Sequence, residues 1–599
     1  MTRNLMNLLL TLLIGLMPMA LAAQGAPPGG KPLLPKPGIE MFPTGDLQEG
    51  LGVAEIVPVE GQPFRKAIRL TTLKAGAMKW NPQNDIMITV PTQAGDVMLL
   101  EFWMRAVKGQ GESGDAKSEV VFERYGDPWT KAIEQSISAG PKWKKFMMPF
   151  VAREDLEAEK SHLSFRMGYG PQSYELADVK ITNYGTKKKL SDMPQTKVTY
   201  GGMEEDAPWR KTAEENIEKV RKGDLTVTVK DKNGKPLSGA KVSVRMKRHA
   251  FGFGSAVVAG RMAGTGEDSD RYRAEIERLF SRVVFENDLK WGFWEQGATN
   301  SGGWSRKETL DAAKWLNDRN IEIRGHNMVW GGWKYMPGDV QQLKDKPKAL
   351  EAAIEKRIMD VGGAMKGKLV EWDVVNEPVP EKALTDILGQ DALVTWFKKA
   401  READPKAVLF VNDYPNPDSM GHLDGCEAVI KFLQEKKAPV GGFGLQAHIG
   451  ESPWSIPDLL QVIDRFGALG VPVAITEYDT QIKDEELEGQ FTKDFMTAVF
   501  SNPHANSFIT WGFWDGAHYG QKAPFFKRDW SLKPAGKAFE ELVLKDWWTN
   551  ADGKTDAAGS YQTRGFAGDY EVVVKSGSKS VTVKAQLSKD GLALPVVLK

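Results

Sequence analysis

A chain of 599 residues is too long for one core, and length alone suggests roughly four domains. Apolar residues make up 41% and charged residues 26%, an ordinary globular composition that excludes a disordered or membrane-integral chain. Lys plus Arg and Asp plus Glu each total 79, so no overall field favours nucleic acid or an anionic membrane. Cys426, the only cysteine, excludes an intrachain disulfide and any multi-cysteine metal site.

The N-terminus carries Arg3, an apolar run and the small-residue pattern Ala20, Leu21, Ala22, which predicts a signal peptide over 1–23 and export to a secreted or periplasmic location. A retained membrane anchor is the alternative, but Asn7, Thr11 and Pro18 interrupt the run. Residues 24–38, "QGAPPGGKPLLPKPG", read as a Pro/Gly linker with no means of packing a core. From 39 to 186 short alternating runs such as "DVMLLEFWMRA" and "SEVVFERY" predict a β-sandwich. Residues 187–223, polar and then helix-prone, read as a linker with a helix.

Strand alternation around the Asn233-Gly234 turn signal over 224–249, and again over 549–599, predicts one small β-module flanking the central domain, because each piece alone is marginal. Between them, over 250–548, strand-like apolar runs alternate with amphipathic helices. Eight such units over roughly 300 residues fit an α/β fold of the (β/α)8 barrel type. An open doubly wound sheet fits less well, since no Gly-rich phosphate loop follows an early strand.

Barrel chemistry sits at the C-terminal ends of strands. Here these ends read Glu286 and Asn287, His326, Asn376 and Glu377, Asn412 and Asp413, Gln446 and His448, Glu477 and Asp479, then Trp511 and Asp515. Emergence into solvent would make any one end polar. Seven of eight, with Trp291, Trp330, Trp511 and Trp514 nearby, predict one aromatic-lined polar cleft. Glu377 in "EWDVVNEPVP" and Glu477 in "VAITEYD" are then two carboxylates across that cleft, the machinery of glycoside hydrolysis. One must stay protonated and the other ionised, and mutual repulsion separates their pKa values.

"WDVVNEP" and "ITEYD" resemble the acid/base and nucleophile motifs of family 10 glycoside hydrolases, the endo-β-1,4-xylanases. So do "ENDLKW", "RGHNMVW", "VNDY", "GLQAH" and "WGFWD", one per successive strand and in the family's order. The resemblance implies a retaining endo-1,4-β-xylanase with Glu377 as acid/base and Glu477 as nucleophile, and carboxyls about 5–5.5 Å apart. It implies substrate contacts from Glu286, Asn287, Lys290, His326, Trp330, Asn376, Gln446, His448 and Trp511, and nucleophile support from His448 and Asp479. Two departures are Gly331, where the family usually has a second His, and His518-Tyr519, where it usually has Ser-Trp; Tyr519 is counted with the substrate contacts.

The sandwich resembles carbohydrate-binding modules, with Trp80, Tyr125, Trp129 and Trp143 as candidate stacking residues. His162, His249, His422 and His504 read as surface or packing residues. Neither a cofactor nor a metal is expected, and the expected partner is xylan or a related β-glycan, met by a monomer. Another β-linked polysaccharide, or a non-catalytic polysaccharide-binding protein, are the alternative readings.

Overall fold

The structure, a computed structural model, describes residues 26–34, 38–74, 76, 78–109, 116–450 and 453–599. The predicted signal sequence over 1–23 lies outside them. Among the described residues no helix is long and apolar enough to cross a membrane.

Eight apolar runs pair in parallel and close into a ring: Gly252–Val257, Arg282–Phe285, Glu322–Gly325, Glu371–Asn376, Val408–Asp413, Gly442–Leu445, Val473–Thr480 and Ala505–Thr510, the last pairing back to the first. This is a TIM barrel, and these are its first to eighth strands below. Helices cover the outside with their apolar stripes inward. Ser305 caps the helix Arg306–Asn317 by accepting from Glu308 N. Asp484 caps Glu485–Ser501 through Glu486 N and Leu487 N, satisfying donors that a helix start leaves orphaned. Val329–Trp330 continues the third strand beside the fourth, and His448–Ile449 continues the sixth beside the seventh. Both extensions carry predicted site residues.

The barrel interior is not wholly apolar. Arg282 and Arg324 both reach Glu371, at 3.2 and 2.9 Å, and Arg324 also pairs with Asp373. Buried charges are tolerated only when paired in this way. In "EWDVVN" Glu371 and Asp373 alternate with Trp372 and Val374, which sets both carboxylates on one face of the strand.

The N-terminal domain packs a seven-stranded antiparallel sheet on a four-stranded one, Gln83–Ile88, Ser161–Arg166, Ala116–Arg124 and Lys131–Ala139 in spatial order. The stretch 24–38 departs from an unpacked linker: Lys31–Pro32 pairs with Thr182 and Asn183, and Leu33 and Leu34 are buried in the sandwich core. Proline does not prevent this at a sheet edge.

Residues 187–223 likewise form a fastened strap. Tyr200 is buried with its hydroxyl donating to Asp494 at 2.8 Å, and Arg210 from the helix Pro208–Arg221 pairs with the same carboxylate.

The turn at Asn233-Gly234 forms, with Gly234 at φ +82°, but its flanking strands part into two sheets rather than forming a hairpin. Lys222–Asp231 lies between Ser560–Phe566 and Leu592–Leu598, whereas Lys241–His249 lies between Asn550–Lys554 and Gly568–Ser576. Their apolar sides, Leu225 and Val227 with Val242 and Val244, join the barrel's own core.

Candidate active site

The polar strand ends are stitched into one ring by the barrel's backbone. Glu377 N donates to Asn412 O, Gln446 N to Asp413 O, and Glu477 N to Gln446 O. Glu377 turns out of the fourth strand at φ +53°, a left-handed conformation costly for a residue with a Cβ and a frequent mark of functional sites.

The side chains then form a continuous net. Glu377 Oε1 accepts from Asn376 Nδ2 and Gln446 Nε2, both at 3.1 Å, and its Oε2 accepts from Trp330 Nε1 at 3.1 Å. Asn412 Nδ2 donates to Asn376 Oδ1 and to Glu477 Oε1, both at 2.8 Å, so one amide joins the two carboxylate halves. Thr476 holds the other end of that amide at 2.7 Å. Glu477 Oε2 lies 3.3 Å from His448 Nε2, whose Nδ1 lies 2.8 Å from Asp479. Tyr519 closes the chain, its hydroxyl donating to Asp479 at 3.0 Å.

The two glutamates differ in electrostatic surroundings. Burial, reinforced by the charges of Glu477 and Asp413, pushes the Glu377 carboxyl up to about 7 despite the hydrogen bonds from Gln446 and Trp330. Burial would also push Glu477 up, but the electrostatic pull of His326, the His448 hydrogen bond and charge, and Lys290 bring it down to about 2. His448 is disfavoured as a cation by burial, yet Asp479 and Glu477 raise it to about 10. The site therefore favours an ionised Glu477 against a His448 cation, and a Glu377 that holds its proton far more readily than an ordinary carboxyl.

The remaining predicted residues line one side of this pair. Glu286 accepts from Asn287 at 3.1 Å, and Lys290 donates to the same Asn287 at 2.8 Å. Burial raises the Glu286 carboxyl and lowers the Lys290 ammonium. Lys290 lies over the rings of both Trp330 and Trp511, at 5.2 and 5.5 Å. His326 is set by Asp373 at 2.9 Å and meets Trp511 edge to face.

Two of the four cleft tryptophans do not line it. Trp291 is buried in the barrel's core, and Trp514 stacks on Trp530 with its Nε1 donating to Arg528 O. Asp515 is spent on Lys533 Nζ and Ala523 N, both at 2.8 Å.

Three features escaped sequence reasoning. Tyr335 stacks on Trp330 with ring centres 3.4 Å apart, from a short turn with no periodic signal. Asn412 was visible as a polar strand end, but its bridging depends on the register that sets it opposite Asn376. His422, read as surface or packing, lies 2.9 Å from Asp413 and with Cys426 makes the one group among the described residues close enough to hold a metal ion. Both Asp413 oxygens already accept hydrogen bonds, from Tyr414 N and Val379 N, and burial keeps the Cys426 thiol protonated.

Comparison with known proteins gives a match to Glycosyl hydrolase family 10 over residues 243–542, half of the chain. The anti-sigma-I factor RsgI6 of Acetivibrio thermocellus is 33% identical over 372 residues, 61% of this chain and 46% of that protein. Endo-1,4-beta-xylanase 1 of Arabidopsis thaliana is 32% identical over 380 residues, 61% of this chain and 38% of that protein. The chain thus spans less than half the length of either curated relative. Xylanase 10B from Thermotoga petrophila RKU-1, solved in complex with xylobiose, is 24% identical over 50% of this chain and 95% of its own, with a TM-score of 0.44.

Proposed function

The chain belongs to glycosyl hydrolase family 10, and from that premise we propose that it is an exported, retaining endo-1,4-β-xylanase that cleaves internal linkages of xylan by double displacement. Glu377 donates its proton to the leaving glycosidic oxygen while ionised Glu477 attacks the anomeric carbon. Glu377 then returns as base to activate water on the covalent intermediate. Asn376 and Gln446 orient Glu377, and Asn412 and His448 orient Glu477. His448, protonated between Glu477 and Asp479, keeps the nucleophile charged until the sugar arrives. Trp330, Trp511, Lys290, Asn287, Glu286 and His326 receive the sugar, the rings through its C–H faces and the polar groups through its hydroxyls.

The observation that carries this reading is the net that seats two buried carboxyls in one cleft, with Asn412 donating to Glu477 and to the Asn376 that in turn donates to Glu377. Their surroundings favour a protonated Glu377 and an ionised Glu477, the division of labour the two steps require. The test is release of new reducing ends from soluble β-1,4-xylan by the protein, with Glu377→Ala and Glu477→Ala beside it. Activity that collapses in both variants upholds the reading. An active Glu477→Ala protein, or a parent that cleaves β-1,4-glucan and not xylan, overturns the nucleophile or the polymer respectively.

A further inference from the structure

The N-terminal sandwich is not joined to the barrel by a free tether. Between Thr196 and Gly201 the strap passes directly from one to the other. Thr196 N donates to Met147 O at 2.9 Å, and Thr196 Oγ1 accepts from Met147 N at 2.7 Å, on the sandwich strand Lys144–Val151. Gly201 O then accepts from Ile456 N at 2.9 Å, where the helix after the sixth barrel strand begins. A Cβ on Gly201 would lie 2.8 Å from Ser455 Oγ, so the strap runs close against this helix start.

A second fastening reaches the same helix from another part of the sandwich. Lys117, near the start of the strand Ala116–Arg124, pairs with Asp418 at 2.6 Å and with Asp458 in the first turn of that helix. The Lys117 backbone is held by one buried side chain. Gln172 Oε1 accepts from Lys117 N and Gln172 Nε2 donates to Lys117 O, both at 2.8 Å. The Lys117, Asp418 and Asp458 side chains are only 13%, 22% and 12% exposed, and charges so far from water persist only when paired. Burial disfavours the ammonium, yet Asp418 and Asp458 raise it above its usual range. The sandwich's candidate stacking residues are engaged elsewhere: Trp143 packs on Phe64, Trp80 lies by Arg166, and Tyr125 and Trp129 pack on His162.

What Lys117 grips lies beside the cleft. Asp418 belongs to the short loop between the fifth strand, Val408–Asp413, and the helix Met420–Glu435. That loop opens with Tyr414, exposed and edge-on to His422. Burial raises the Tyr414 phenol, and the charges of Glu377 and Asp413 add to it, which sets the ring near the acid/base carboxyl. The sugar contacts Glu286, Asn287, Lys290, His326 and Trp330 all follow the second and third strands. Across the ring from them stand the loops after the fifth and sixth strands, the side left for the part of the polymer that departs with the Glu377 proton.

We propose that Lys117 is a positioning residue for the reaction: by gripping Asp418 and Asp458 it fixes the loop that carries Tyr414, and so sets how tightly the leaving part of the polymer is held. The sandwich then acts on catalysis as a fixed support of the cleft. Without the ammonium two buried carboxylates are left facing one another, and their repulsion moves the loop. The effect on the reaction rests on the function proposed above, whereas the hold on the loop does not.

The test compares the full chain with Lys117→Met, which keeps the length without the charge, and Lys117→Arg, which keeps the charge. Two soluble substrates are used: xylohexaose, and an aryl β-xylobioside whose activated phenol departs without being held. Hydrogen–deuterium exchange over residues 416–422 reads the loop independently of activity. Lys117→Met is expected to raise KM for xylohexaose about tenfold or more with kcat within about threefold, and to leave the aryl substrate within about twofold. It is also expected to speed exchange over 416–422 about tenfold while leaving 473–480 unchanged. Lys117→Arg is expected to stay within about threefold of the parent throughout. Asp418→Asn leaves Lys117 paired with Asp458 and decides the matter if Lys117→Met does not fold. It is expected to raise the same KM severalfold, and a KM equal to the parent's overturns the proposal. Equal losses on the two substrates, or unchanged exchange over 416–422 in Lys117→Met, also overturn it. Faster loop exchange in Lys117→Met, from a parent that cleaves neither substrate, upholds the fastening and overturns the hydrolase reading instead.

Discussion

Asn412 donates to Glu477 at 2.8 Å through the same nitrogen that donates to Asn376, the neighbour and partner of Glu377. One buried amide thereby sets the position of both carboxylates. Asn412→Ala is expected to lower kcat at least 100-fold, because both lose orientation at once, and to destabilise the fold by about 1–3 kcal/mol through the unpaired groups left behind. Steady-state kinetics and thermal unfolding of the same variant check the two parts. A kcat within tenfold of the parent would show that the carboxylates hold their geometry without it.

The pH profile follows from the two displaced carboxyls. Glu377 must be protonated, so kcat/KM is expected to fall about tenfold per pH unit above about 7. The acid limb, set by Glu477 near 2, is expected to lie below the range in which the protein stays folded.

Stability is linked to the same shifts, with opposite signs. Glu377 is raised, so the folded state binds more protons than the unfolded one between about 4.5 and 7, and stability falls as pH rises through that window. Glu377→Gln is therefore expected to be more stable than the parent by roughly 2–3 kcal/mol at pH 8 and no more stable at pH 4. Glu477 is depressed, and its contribution is present above about 4.5 and lost as pH falls toward 2. Denaturant titrations of parent and Glu377→Gln at both pH values measure this.

Tyr519 reaches Asp479 from a largely exposed position. Exposed hydrogen bonds contribute little, so Tyr519→Phe is expected to reduce kcat/KM only a few fold, whereas His448→Ala, which removes the cation beside the nucleophile, is expected to cost at least 100-fold. Comparable losses in the two would make the phenol hydroxyl part of sugar binding rather than of nucleophile support.

Gly331 is a matter of space. A Cβ there would sit 2.1 Å from the carbonyl oxygen of Glu381, whose own amide donates to Glu377 O. Gly331→Ala is expected to destabilise by about 1–3 kcal/mol and to lower kcat by moving the turn that carries Glu377. The histidine common at this position in the family therefore has no room in this loop arrangement. A calorimetric unfolding temperature unchanged from the parent would contradict the packing argument.

The barrel was legible in the sequence because its parallel strands, apart from the paired charges Arg282, Arg324, Glu371 and Asp373, are mainly apolar and then end in a polar residue. That pattern repeats for Glu286, Glu377, Asn412, Gln446 and Glu477 whatever the intervening helices do. The segment 24–38 was misread because Leu33 and Leu34 are too short a run to outweigh the surrounding Pro and Gly, although two buried leucines suffice to dock an edge. Composition could not sort Trp330 and Trp511, which meet Lys290 in the cleft, from Trp291 and Trp514, which fill the core, because the residue type serves both. The split of the Asn233-Gly234 strands into two sheets depends on partners more than 300 residues away, Ser560–Phe566 and Gly568–Ser576, which no local pattern encodes.

The most direct test of the central claim, Glu477 as nucleophile and Glu377 as acid and base, is the anomeric configuration of the first product. Proton NMR would follow a xylo-oligosaccharide during its first minutes with the parent protein and with Glu477→Ala. The expected result is β-configured product from the parent before mutarotation, and none from the variant. An α-configured first product, or β-product from Glu477→Ala at the parent's rate, would contradict the assignment of these two glutamates.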